Sequence, residues 1–176
     1  MPTDEQVLFQ LASGLDYMHC KDIIHRNIRP ESILISASTK GLQMKITGFN
    51  FSVFYSPTNI SQPNMSEWES RGRPNWASPE DKLLITKFTE TTNNWNRVEN
   101  QIIAPKSRFV HCDTFSFGCV FLYFLLRGIH PFGSINLVIP TNIARGNPVN
   151  LKGTSDWLRN LFLSLSCWFC FKVKIL

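Results

Sequence analysis

The sequence predicts a mainly α domain of the α+β kind, with one short β-hairpin and no extended sheet. Three observations carry this expectation. Apolar residues recur at helical spacing near the start, at Val7, Leu8, Leu11, Leu15 and Met18, as on a helix with one buried stripe. The segment from Asp113 to Arg127 is apolar on nearly every face, which marks a helix buried all round. Only two runs, Ile33 to Ile35 and Gln43 to Thr47, have β-type composition, and both are short.

Thr3 followed by Gln6 has the form of a capping box, so the first helix starts there and ends near Cys20. Ile23-Ile24 leads into a polar turn, and the turn-rich stretch Ser36 to Gly41 joins the two β-type runs. Residues 51–76 are rich in Ser, Asn and Pro with no sustained period, as in a long surface loop. Residues 81–112 are expected to form a second, inserted polar loop. Gly128 ends the core helix, and His130-Pro131-Phe132-Gly133 prevents its resumption. Thr154 or Ser155 caps a final helix through Trp157, Leu158, Leu161, Phe162 and Leu165, and residues 166–176 form an irregular apolar tail.

With 176 residues and 43% hydrophobic content, the chain has material for one domain with its own core. The net charge of +5 is scattered rather than gathered into a basic run, so no nucleic-acid contact is expected. Five cysteines without regular spacing fit a reduced compartment rather than a disulfide framework. Cys167-x-x-Cys170 lacks a second ligand pair, so no metal site is expected. The first residues have neither a basic nor an apolar leader region, so no signal peptide is expected, and the sequons at Asn50, Asn59 and Asn64 read as chance. The apolar run Trp157 to Phe171 falls short of the roughly 20 residues a membrane span requires.

Between the first helix and the hairpin lies His25-Arg26-Asn27-Ile28-Arg29-Pro30-Glu31-Ser32. It resembles the catalytic loop H-R-D-L-x-x-x-N of the protein-kinase superfamily. Gly48-Phe49-Asn50 then stands where that family has D-F-G, and Ala77-Ser78-Pro79-Glu80 stands for A-P-E with one inserted residue or a shifted register. Asp113-x-x-Ser116-x-Gly118 opens the apolar helix. The order is the family's, and the resemblance covers residues 4–165, implying the family's C-terminal lobe without the sheet of its N-terminal lobe. Residues 51–76 then correspond to an activation-loop-like segment. Gly14 to His19, Ile23 to Arg26 and Gly118 to Gly133 look most like the endoplasmic-reticulum stress sensors that join a kinase to an endoribonuclease.

The resemblance also gives roles to positions, and the departures put those roles in doubt. Asn27 replaces the Asp that accepts the substrate proton, and Arg29 stands where many kinases place a phosphate-facing Lys. Arg29 reads equally as an anion-binding fork or as a structurally paired side chain. Ser32 and Gly48 fill the two metal-holding positions without a carboxylate. His25, Arg26, Phe49, Glu80 and Asp113 read as structural, with Arg26 also able to meet a phosphorylated loop residue. No G-x-G-x-x-G and no V-A-I-K-like strand occurs in the sequence. After Leu165, Ser166 to Phe171 replace the polar turn that the resemblance leads one to expect, as a truncated or misjoined reading frame would give.

The expected function is therefore a truncated, catalytically inactive kinase-like module that binds a kinase paralogue or regulatory protein. Neither ATP nor magnesium, the family's cofactors, is expected to bind. The alternative is a fragment of a working ATP-dependent Ser/Thr kinase, coupled or not to a ribonuclease, whose other parts lie outside these residues. The resemblance places the chain in the cytoplasm or at the cytosolic face of the endoplasmic reticulum.

Overall fold

A computed structural model describes residues 2–39, 41–56, 73–80, 106–152, 156 and 160. The first helix, α1 (Asp4–Cys20), opens on the expected capping box. The Thr3 hydroxyl accepts from the Gln6 N–H at 3.2 Å, and the Gln6 carbonyl oxygen accepts from the Thr3 N–H at 3.0 Å. Its buried stripe is Val7, Leu11, Leu15 and Met18, at the spacing that places one residue per turn on the same face. These four pack with Ile28, Phe117 and Val120 into the principal core.

Two small antiparallel sheets follow. Strand β1 (Ile23–Ile24) pairs with β4 (Val53–Phe54), a contact the sequence did not announce because neither partner is longer than two residues. The hairpin is β2 (Ile33–Ser38) against β3 (Gly41–Ile46). It runs longer than its composition indicated. Ser36, Ala37 and Ser38 are not strong strand formers, yet each has a partner in the ladder, and Gly41, at φ +95°, turns the chain back after only residues 39 and 40. The pairing fades at Thr47, whose N–H still donates to the Ser32 carbonyl at 2.8 Å. Among the described residues there is no larger sheet.

The long helix α2 (Lys106–Leu125) is buried from Cys112 to Leu122 except at Thr114, whereas Tyr123 to Leu126 are half-buried and Arg127 is exposed, short of the all-round burial expected through Arg127. It begins seven residues before the expected start at Asp113, so the end of the expected polar loop, 106–112, is helical. The physical reason is tertiary. The Lys106 ammonium donates to the His19 carbonyl at 2.7 Å and to the Asp22 carboxylate at 2.6 Å, fixing the polar first turn against the end of α1. Leu125 is the last helical residue. Gly128, at φ +92°, returns its N–H to the Tyr123 carbonyl at 2.9 Å and closes the C-terminus.

The helix α3 (Ile139–Ala144) packs Ile139 and Ile143 with Phe115, Cys119 and Phe132 in a second core cluster, with Trp76 lying against both clusters. Residues 57–72 of the activation-loop-like segment, 81–105 of the polar loop and the tail with Cys167 and Cys170 lie outside the described residues. Of the expected final helix, only Asp156 and Asn160 are described, and both are helical.

Candidate functional site

The polar loop between β1 and β2 is held from below by one carboxylate. Asp113, 2% exposed within α2, accepts from the His25 N–H at 2.7 Å and the Arg26 N–H at 2.8 Å, and meets the His19 ring Nε2 at 3.1 Å. Arg26 sits at φ +61°, a left-handed conformation that costs a non-glycine residue roughly 1–2 kcal/mol. The carboxylate bonds compensate for that strain, because they are charge-assisted and buried.

His25 is fully buried. Its Nε2 lies 2.9 Å from the Thr47 carbonyl, its Nδ1 accepts from the Asn27 N–H at 3.2 Å, and its ring meets that of Phe49 edge-on with centroids 5.1 Å apart. Arg26 donates through Nε to the Phe51 carbonyl at 2.6 Å. The loop and the segment after the hairpin are thus one unit, with His25 as the pivot.

On this frame, the three positions that the resemblance gave to catalysis and metal come together. A Cβ placed on Gly48 would lie 3.5 Å from the Ser32 Cβ and 4.0 Å from the Asn27 Nδ2. Gly48 itself is left-handed, at φ +82° and ψ +42°. The Ser32 hydroxyl is already used within the loop: it donates to the Arg29 carbonyl at 2.7 Å and accepts from the Arg29 N–H at 2.9 Å. The Asn27 Oδ1 is buried and makes no hydrogen bond. The Arg29 guanidinium meets the exposed Glu31 carboxylate at 3.4 Å.

Magnesium does not fit this donor set. The ion demands near-ideal octahedral oxygen coordination, anchored in kinases by a carboxylate and the loop amide. Here the three positions offer one neutral amide oxygen, one hydroxyl already engaged, and a glycine hydrogen. Among the described residues no cluster of three His, Cys, Asp or Glu side chains has metal-binding geometry.

Glu80 is half-buried where a helical turn begins at Pro79. Beside it, the buried Ser78 hydroxyl donates to the Cys112 sulfur at 3.2 Å, and the Ser116 hydroxyl donates to the Trp76 carbonyl at 2.7 Å. These bonds tie the segment before Glu80 to the first half of α2. Sequence reasoning did not single out His19, Lys106 or Trp76, and read His130 only as part of the stretch that stops the core helix. His19 lay within a quoted stretch, Gly14 to His19, but its bond to Asp113 spans 94 positions and leaves no local signal. The His130 ring accepts from the Phe132 N–H at 3.1 Å and stands edge-on to Trp76 at 4.5 Å. Burial pulls its pKa down to about 4, an effect partly offset by the backbone of Asn75.

A helical lobe with this loop, and with Asp113 beneath it, is the architecture of a protein kinase. The sequence matches the protein kinase domain over residues 3–149, and the chain belongs to that family. Within it, the chain is 34% identical over 146 residues to a serine/threonine-protein kinase/endoribonuclease of Homo sapiens, a match covering 82% of this chain. It is 29% identical over 151 residues to the sensor for unfolded proteins in the ER of Schizosaccharomyces pombe, covering 80% of this chain. The chain spans only 14% and 13% of these two relatives. The crystal structure of Rad53 kinase domain and SCD2 superposes with a TM-score of 0.56 at 21% identity, covering 92% of this chain and 47% of that one. That likeness concerns the fold.

Proposed function

We propose that this chain is a catalytically inactive kinase-like module that acts by binding a protein, either a kinase of its own family or a regulatory partner of one. The observation that carries the reading is the convergence of Asn27, Ser32 and Gly48 at one point with no carboxylate among them. An amide cannot take the proton of a substrate hydroxyl, and general-base assistance is worth roughly 10²- to 10⁴-fold in typical enzymes. Without a metal anchor, the electrostatic stabilisation that dominates phosphoryl transfer is lost as well.

We place the module on the cytosolic side, including the cytosolic face of the endoplasmic reticulum, from its likeness to the sensor proteins. Among the described residues no helix is long and apolar enough to cross a membrane.

Calorimetric titration of the 176-residue chain with magnesium-ATP, beside a radiolabel transfer assay, tests the reading. No binding and no transfer are expected, either for the natural sequence or for the double variant Asn27→Asp, Gly48→Asp. Two restored carboxylates do not supply the positioning that the rest of a nucleotide site gives. Micromolar binding, with transfer that disappears in Arg29→Ala, overturns it.

A further inference from the structure

His130 stands between two stretches of backbone. Its Nδ1 accepts from the Phe132 N–H at 3.1 Å, and the other backbone against it is that of Asn75, at the end of the tight turn Arg73–Asn75. An accepting Nδ1 fixes the neutral tautomer, with the ring proton on Nε2. The ring also meets Trp76 edge-on, with centroids 4.5 Å apart, and the residue is 6% exposed. This contact reaches both core clusters, because Trp76 lies against each of them.

A second proton has one place to enter, Nδ1. There it turns the acceptor of the Phe132 N–H into a donor facing a donor, in a site with little water to take up the charge. The neighbouring groups do not compensate. Cys119, packed with Phe132, is a thiol that burial holds neutral, and Tyr123, edge-on to Trp76 at 5.5 Å, brings a phenol. From the turn Val149–Leu151 comes the Asn150 amide, which donates to the His130 carbonyl at 2.7 Å. Neutral hydrogen bonds also tie down the segment beside the ring: Ser116 to the Trp76 carbonyl at 2.7 Å, Ser78 to the Cys112 sulfur at 3.2 Å, and Asn75 to the Asn136 side chain at 3.3 Å. Each is modest beside an uncompensated buried charge.

We propose that His130 is a proton-operated latch: its neutral ring closes residues 75–80 onto α2, and its protonation releases that segment while the rest of the lobe stays folded. The released stretch joins the activation-loop-like segment to Glu80, so the latch sets how firmly that segment's end is anchored. The direction follows from the two states of the ring. It titrates at about 4 when closed in and at its ordinary 6.5 when released, so the open form takes up a proton first and gains as pH falls below 6.5. The ratio of open to closed rises about tenfold by about pH 5.5, and about 300-fold once both forms are charged.

Amide hydrogen exchange of the 176-residue chain, corrected for the intrinsic effect of pH, reads the latch at Ala77, Ser78 and Phe132, with Leu122 in the middle of α2 as the reference for global unfolding. The first three amides are expected to open by the factors above as the solution is acidified, and Leu122 to change less. Titration of the His130 ring by NMR needs no variant, and its midpoint is expected below 6.5. His130→Asn keeps an acceptor oxygen at the place of Nδ1 and takes no proton, so exchange at the three amides is expected to be flat with pH. Four results overturn the proposal: flat exchange at Ala77 and Ser78 in the natural chain, a rise shared equally by Leu122, an acid rise that persists in His130→Asn, or a ring that titrates above 6.5 with the segment closed, in which case the Trp76 ring holds the charge.

Discussion

Replacing Asp113 by Ala tests whether a single carboxylate organises the loop. The substitution removes two charge-assisted bonds from backbone donors and the contact with His19, all within a site where the carboxylate is 2% exposed. The His25 N–H is left in a residue with no exposure, while Arg26 is half-buried and regains some water. An unsatisfied buried donor costs about 1–3 kcal/mol, so His25 takes the upper part of that range and Arg26 the lower. Together with relief of the bond compensating the left-handed Arg26, the expected loss is about 3–5 kcal/mol, within the range for breaking a buried charged pair. Asp113→Asn keeps the shape and one acceptor oxygen but turns an NH₂ toward a backbone donor, and loses about 2 kcal/mol or more. Urea unfolding followed by tryptophan fluorescence measures both, and hydrogen exchange at the His25 and Arg26 amides locates the damage. If both variants stay within about 0.5 kcal/mol of the parent, the ordinary scatter of surface substitutions, the carboxylate does not hold the loop.

Stability should fall in acid through His130. Its pKa is lowered from 6.5 to about 4 in the folded chain, so the unfolded chain takes up a proton first as pH drops through 6.5. The contribution is complete above about pH 6.5 and declines toward pH 4 by about 3 kcal/mol. Subtracting the pH profile of His130→Gln from that of the parent isolates it, and identical slopes refute the assignment. Leu122→Ala, at a position with no exposure in the middle of α2, should cost about 2–5 kcal/mol in the same urea assay. Gly48→Ala meets only ordinary contacts but must adopt φ +82°, so a loss of about 1–2 kcal/mol is expected, and none at all would show that the backbone there relaxes freely.

Local chemistry alone determined α1, with its capping box and apolar stripe, the burial of α2 between Asp113 and Leu122, and the stop at Gly128. Each depends on residues within a few positions of one another, where period and capping preference act directly. The loop from His25 to Ser32 was legible as a motif, and its missing carboxylates were legible as letters. Tertiary structure decided what the letters could not carry. The early start of α2 rests on Lys106 reaching His19 and Asp22 across more than 80 positions. The β1–β4 ladder joins segments too short to signal strands by themselves. The left-handed Arg26 is affordable only because Asp113 lies beneath it. Bonds of this kind have no period and no fixed spacing, because the chain between their ends is free to vary, so only the packed fold brings them into existence.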